Sequence, residues 1–201
     1  MASTTISPKE VSELRARTGA GMMDCKRALE EAGGDMDKAA ELLRKKGIAK
    51  AEKRAGRDAS QGVVVSYIHH NQQVGVLVEL NCETDFVART EEFLGLAREI
   101  ALHVASADPI GVNPEDVPAE LLERERRIAE EQVAQEGKPE SIRAKIVDGK
   151  LRKFVAERTL TEQPFVRDDK KTVGQLIKEV SAKVGEAVTV RRFARFRIGE
   201  A

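Results

Sequence analysis

The chain has 201 residues, 41% of them hydrophobic and 34% charged, and its 34 Lys plus Arg are matched by 34 Asp plus Glu. This describes a soluble, helix-rich globular protein with room for one domain and a real core, or for two small domains, and excludes a disordered or membrane chain. A formal net charge of zero supplies no global field toward nucleic acid or anionic lipid, so any such binding has to be local.

The first seven residues (MASTTIS) lack the basic and apolar regions of a leader. No later segment approaches the roughly 20 apolar residues that span a bilayer, so a cytoplasmic protein without membrane contact is expected. Ser7-Pro8-Lys9-Glu10 is a helix start: Ser7 as N-cap, Pro8 at the first helical position and Glu10 closing a capping box. Val11 and Leu14 mark the apolar face of this helix. Thr18-Gly19-Ala20-Gly21 interrupts it, and residues 22–32 resume helical spacing through Cys25, Ala28 and Leu29 until Gly33-Gly34. Asp35 caps a third helix over 36–46, with Ala39, Leu42 and Leu43 inward and Gly47 as its end. Three short helices make a small helical domain over residues 1–54, followed by a basic, small-residue linker to about residue 60.

Beyond the linker the period changes from helix to strand. Val63, Val65 and Tyr67 alternate with Val64, Ser66 and Ile68, Asn71-Gln72-Gln73 turns, and Val74, Val76, Val78 and Leu80 alternate with Gly75, Leu77 and Glu79, which is an antiparallel hairpin. The second strand leads into Asn81-Cys82-Glu83-Thr84-Asp85-Phe86-Val87-Ala88-Arg89. Thr84 and Asp85 suit a turn or an N-cap there, whereas Phe86 either packs inward or stands out to enter something else. Helical spacing returns over 92–105. Residues 108–118 hold three prolines and read as a loop. Two charged helices follow, over 119–135 with Leu121, Leu122, Ile128 and Val133, and over 140–158 with Ile142, Ile146, Val147, Leu151, Phe154 and Val155. The tight Gly137-Lys138-Pro139 turn makes them an antiparallel pair, and their thin apolar stripe makes them project into solvent or meet a partner. A last helix over 172–184 and a last strand over 187–198 complete the chain. On that strand Val188, Val190, Phe196 and Ile198 share a face broken at Arg192, and most arginines lie on the other, solvated face. The class is α+β: three helices, then a core of a small antiparallel three-stranded sheet packed by helices, with the helical hairpin at about 118–158 inside residues 61–201.

Candidate chemistry is sparse. Cys25 and Cys82 lack metal-ligand spacing and read as reduced, packed thiols. His69 and His70, adjacent near a strand end, are expected to face opposite sides of the sheet and not to share a metal. Cys82 with a histidine has no third orienting group, so catalysis is not indicated. No catalytic residue, metal site or cofactor is expected.

Arg17-Thr18-Gly19-Ala20-Gly21-Met22-Met23-Asp24-Cys25-Lys26, the 81–89 segment, Gln163-Pro164-Phe165-Val166 and Thr172-Val173-Gly174-Gln175-Leu176 together resemble the bacterial elongation factor Ts family, over essentially the whole chain and in order. The resemblance implies a guanine-nucleotide exchange factor, not an enzyme, for the translation GTPase elongation factor Tu (EF-Tu). It also implies a ubiquitin-associated (UBA)-like N-terminal domain, an α+β core and an inserted coiled-coil hairpin. One hairpin before the projecting helices, where longer members carry a duplicated core, resembles the short form and implies a homodimer in a two-plus-two complex with the GTPase.

The resemblance further implies that Thr84, Asp85, Phe86 and Val87 intrude near the Mg²⁺ site of the GTPase and help displace the ion. It turns Phe86 outward, with Asp85 exposed beside it and Val87 as the anchor beneath. It also places a partner contact at Met22 and Met23, adaptable apolar side chains of which at least one could equally be core. The rival function is RNA binding by Arg191-Arg192-Phe193-Ala194-Arg195-Phe196-Arg197, where cations interleave with aromatics as in a stacking platform; the resemblance itself implies no direct nucleic-acid partner. A pure interaction protein built on the three-helix domain leaves the Thr84 loop and the helical hairpin unexplained.

Overall fold

In the computed structural model, residues 6–54, 56–137 and 139–200 are described. Residues 1–5 of the leader reading, Ala55 of the linker and Lys138 of the Gly-Lys-Pro turn lie outside the described residues. Among the described residues the chain is α+β, with eight α-helices and a small three-stranded antiparallel sheet.

Helix α1 (Pro8–Thr18) begins as its capping box dictates. The Glu10 N–H donates to Ser7 Oγ over 3.3 Å, the Ser7 N–H donates to Glu10 Oε2 over 2.7 Å, and Gly19 ends the helix in the left-handed region at φ 71°. Helices α2 (Met22–Glu31) and α3 (Met36–Arg54) follow, the second started by Asp35, whose Oδ1 accepts from the Asp37 and Lys38 N–H groups. The three helices bury Val11, Leu14, Cys25, Leu29, Ala39 and Leu43 together. Leu42, expected inward, is only half-buried and sits on the flank of that stripe. Gly47 does not end α3, which continues to Arg54. A Cβ at Gly47 would lie 3.0 Å from the Ala182 Cβ, so this glycine serves close approach rather than termination.

Strands β1 (Gln61–Ile68) and β2 (Val74–Cys82) form the predicted hairpin, closed by the His69 N–H donating to the Val74 carbonyl over 2.9 Å, with Gln72 at φ 59° in the turn. Alternation places Val76, Val78, Leu80 and Cys82 inside and Leu77 outside, the period-two pattern of a sheet with one covered face. Past the end of β1 alternation lapses. His69 and His70 therefore do not face opposite sides: their ring centroids are 4.2 Å apart, and Tyr67 Oη lies 3.0 Å from His69 Nδ1.

Helices α4 (Asp85–Ala88) and α5 (Glu91–Ala107) follow β2, and the proline-rich loop contains one 3-10 turn at Pro114–Asp116. Helices α6 (Ala119–Gln135) and α7 (Glu140–Arg158) have the predicted bounds and pack through Ala129, Val133, Val147 and Leu151, with Ile146 beside them. Ile128 and Ile142, counted with the apolar stripes, are exposed instead. A two-stranded antiparallel ribbon, β3 (Pro164–Phe165) and β4 (Asp168–Thr172), was not expected, because a two-residue strand leaves no period to read. The Gln163 to Val166 string surrounds buried His103: the Val166 N–H donates to His103 Nδ1 over 3.2 Å and Nε2 lies 3.0 Å from Gln163 Oε1. Nδ1 must accept, so the proton sits on Nε2.

Helix α8 (Val173–Val184) leads into β5 (Val188–Arg197), and the sheet order is β1-β2-β5. The Ile198 N–H donates to the Gln73 carbonyl over 3.0 Å and Arg192 Nε to Glu79 Oε2 over 2.7 Å. The numbers run in opposite directions along the two strands, which is antiparallel pairing. The predicted single apolar face of β5 is divided. Val188 and Val190 are buried, while Phe196 and Ile198 are 69% and 75% exposed, as are Val64, Ile68 and Leu77 in large part. Nor are its arginines all solvated: the Arg195 side chain is 9% exposed, with Nη1 3.2 Å from Asp108 Oδ1 and 2.7 Å from Glu200 Oε2.

Two compact units partition the chain. One joins residues 1–62 with 81–94 and 177–189, and the other joins 63–80 with 95–176 and 190–201. The first therefore contains the three N-terminal helices, the Thr84 loop and the junction between α8 and β5; the second contains most of the sheet and the α6–α7 hairpin.

Candidate functional site

The segment that raised the functional question is built from three consecutive local decisions. Cys82 ends β2 fully buried and its thiol donates to the Thr84 carbonyl over 3.1 Å. Burial, and after it the Glu186 carboxylate, pushes the Cys82 thiol pKa up, so it remains a protonated donor. Thr84, in extended conformation, then caps the one-turn helix α4 by accepting the Val87 N–H at Oγ1 over 3.4 Å. Thr90 closes the far side, its Oγ1 donating to the Val87 carbonyl over 2.8 Å and accepting the Phe93 N–H at 3.3 Å.

This frame presents Phe86 with 82% of its surface exposed. The aromatic points out of the protein. Asp85 is half-exposed, its carboxylate 2.9 Å from Arg89 Nη2. Val87, expected as the anchor beneath the loop, is only partly buried, and the residues sunk there are Ala88 and Cys82. With Ala88 buried and Asp85 and Val87 half-buried, this one-turn helix leaves Phe86 no inward face to occupy.

What the sequence reading missed is Glu186. Lying 103 residues from Glu83, it accepts the N–H groups of Glu83 and Thr84 on Oε2, at 3.1 and 3.0 Å, and the Thr84 hydroxyl on Oε1 at 2.6 Å. The favour is returned by Glu83, whose Oε1 accepts the Ala187 N–H at 2.7 Å and lies 3.4 Å from Arg57 Nη1. The Ala187 N–H, with Arg57 after it, holds the Glu83 carboxyl below its ordinary value. The one local signal was a glutamate between a helix-ending glycine and a strand, where neither element has use for it.

Met22 and Met23 open α2 and are 42% and 64% exposed. Neither is core, because Cys25, Ala28 and Leu29 already fill the inner face of that short helix. Asp24 ties this turn to α3: its Oδ2 is 3.2 Å from Lys50 Nζ and its Oδ1 2.6 Å from Arg27 Nη2, and the hydrogen bond from Lys50 leads in holding its pKa down. The structure thus leaves three large apolar side chains, Met22, Met23 and Phe86, standing out from short, well-tied turns. Among the described residues no cluster of His, Cys, Asp and Glu is arranged to hold a metal ion, and no helix is long and apolar enough to cross a membrane.

A family model described as "Elongation factor TS" matches residues 22–200. The chain is 57% identical over 195 residues to "Elongation factor Ts" of Thermosipho melanesiensis, covering 97% of this chain and all of that protein. It is 57% identical over 195 residues to the protein of the same name from Desulforamulus reducens, covering 97% of this chain and 90% of that one. With that of Desulfosudis oleivorans it shares 53% identity over 196 residues, covering 98% and 99% of the two chains. None of these names speaks for RNA binding, and Arg195, its side chain 9% exposed between Asp108 and Glu200, is withdrawn from the cationic stripe that such a reading needs.

Proposed function

The chain belongs to the elongation factor Ts family, and from that premise we infer that it is a guanine-nucleotide exchange factor that promotes release of GDP from the translation GTPase EF-Tu. The observation that carries the mechanistic part is Phe86, exposed at the tip of a turn tied down on every side. A GTPase holds its nucleotide with backbone amides around the phosphates and a Mg²⁺ that bridges them. Thr84, Asp85, Phe86 and Val87 enter beside that ion's site, Phe86 wedging between side chains of the GTPase and weakening the ion's support. Met22 and Met23 make a second contact from the N-terminal helices.

Exchange breaks no covalent bond, so the factor is not an enzyme in the usual sense. It works by binding the nucleotide-free GTPase more tightly than the nucleotide-bound one, and linkage makes the effect reciprocal: nucleotide loosens the factor as much as the factor loosens nucleotide. Each decade of acceleration requires about 1.4 kcal/mol of preferential transition-state binding. A buried aromatic supplies about 2 to 3 kcal/mol, so the methionines and further surface must contribute as well.

The finer organisation follows the family: a UBA-like module over residues 1–54, a core over 61–201, and α6–α7 as a projecting coiled-coil hairpin. The protein acts in the cytoplasm as a homodimer in a two-plus-two complex with the GTPase. The uncovered sheet face carrying Val64, Ile68, Leu77 and Phe196 supports that assembly, since an apolar patch of this kind marks an association surface. The test of the function is stopped-flow release of a fluorescent GDP analogue from EF-Tu on mixing with this protein, with acceleration as the expected result.

A further inference from the structure

We propose that Glu186 is the positioning residue for Phe86 and sets the exchange activity of the loop through Thr84. This rests on the reading of Phe86 as the intruding group. An 82% exposed ring receives little packing from its own protein, so its place in space is decided by the backbone that carries it. That backbone turns through one four-residue helix, Asp85–Ala88, too short to hold itself in water.

Glu186 supplies what the helix lacks. Its Oε2 accepts from the N–H groups of Glu83 and Thr84, immediately before the helix, and its Oε1 accepts the hydrogen bond of the Thr84 hydroxyl, 2.6 Å from Oγ1. With its proton committed to Glu186, Thr84 Oγ1 presents a lone pair to the Val87 N–H. The hydroxyl is thus a relay from the carboxylate into the turn that carries Phe86. Charged acceptors make such bonds shorter and stronger than neutral ones.

Glu186 is itself held. Its carbonyl accepts Ser181 Oγ at 2.6 Å, Gly185 before it sits at φ 80°, and the Ala187 N–H after it donates to Glu83. Glu186 holds the backbone of Glu83 and Thr84, Glu83 in turn holds that of Ala187, and Arg57 lies beside Glu83. An aromatic presented in advance binds without the cost of ordering its loop. A loop freed from Glu186 presents the same ring over many positions, and a misplacement of about 1 Å in such a group costs up to roughly a hundredfold.

The test is a double-mutant cycle on release of a fluorescent GDP analogue from EF-Tu, with Glu186→Ala, Phe86→Ala and the double variant. Glu186→Ala is expected to lower the maximal release rate by about tenfold and to affect the half-saturating concentration much less. Glu186→Gln keeps one acceptor oxygen for the Glu83 and Thr84 N–H groups but turns an amide donor toward the Thr84 hydroxyl, and recovers only part of the rate. The double variant matches Phe86→Ala alone, because the glutamate acts through the ring. Amide exchange at Glu83 and Thr84 speeds up in Glu186→Ala, while that of α1 to α3 stays as in the parent. Should Glu186→Ala not fold, Thr84→Val, which deletes the relay hydroxyl, takes its place in the cycle with the same expectation. A wild-type rate in Glu186→Ala, or losses that multiply in the double variant, overturns the proposal and leaves the role of Phe86 standing. A wild-type rate in Phe86→Ala overturns both.

Discussion

Glu186 and Thr84 are 102 residues apart in the chain and joined twice, by a 2.6 Å bond from the Thr84 hydroxyl to Oε1 and a 3.0 Å bond from the Thr84 N–H to Oε2. The junction between the last helix and last strand thereby fixes the turn between the second strand and fourth helix. The tip of that turn is Phe86, and its exposure is a property of how the turn is tied, not of the aromatic itself.

Phe86→Ala removes a side chain that makes few contacts in the free protein, so its melting temperature is expected to stay within the range of an ordinary surface substitution. The exchange rate is expected to fall by roughly tenfold or more, since the 2 to 3 kcal/mol of a buried aromatic is available only in the complex. Thermal unfolding and labelled-GDP release, measured on one preparation, check both halves. A large loss of stability shows instead that the ring supports the fold.

Two glycines in helices carry opposite expectations. A Cβ on Gly174 would lie 2.8 Å from the Thr161 carbonyl oxygen, which also accepts the Gly174 N–H. Neither backbone can yield, and Gly174→Ala is expected to cost about 1 to 3 kcal/mol. Gly149, within α7, has nothing within 4 Å of an added Cβ, and Gly149→Ala is expected to stabilise by up to about 1 kcal/mol through helix propensity. Denaturant midpoints distinguish the two signs.

His103 is buried and its pKa lies below the ordinary 6.5, with burial as the first cause. Its Nδ1 accepts the Val166 N–H, so protonation there would set donor against donor. The unfolded chain takes up a proton that the native state refuses, and stability is therefore full above pH 6.5 and is lost as pH falls toward the lower folded value. Melting temperature followed across that window is expected to fall with acidity, and less steeply in His103→Gln. Equal slopes in the two proteins remove His103 from the acid response.

The exposed sheet face gives a prediction about assembly. Leu77 and Phe196 stand out from neighbouring strands, and charging either one, as Leu77→Arg or Phe196→Asp, is expected to leave the fold intact and drive the proposed homodimer to monomer. Sedimentation equilibrium at micromolar concentration reads this directly. A parent protein already monomeric there contradicts the dimer.

Much of this molecule was legible from residue order, for local reasons. Ser7, Pro8 and Glu10 announce α1, the alternation through Val76, Val78 and Leu80 announces β2, and the bounds of α6 and α7 follow from helical spacing between prolines and a glycine. Errors arose where a distant partner overrides local preference. Gly47 reads as a stop until Ala182 is seen beside it, and Arg195 reads as solvated until Asp108 and Glu200 close on it. His69 and His70 lie just past the end of β1 and escape the facing that strand alternation would give them. Of the proposed site, Thr84 to Val87 and the two methionines could be named from the sequence. Glu186 was not, because a long-range hydrogen bond to backbone leaves no period and no motif in the sequence.

The most direct measurement is release of a fluorescent GDP analogue from purified EF-Tu, followed by stopped flow with and without this protein. The expected result is acceleration that saturates with the factor and is reversed by excess unlabelled GDP competing for the GTPase. Release at the intrinsic rate, at every concentration of folded protein, contradicts the exchange function.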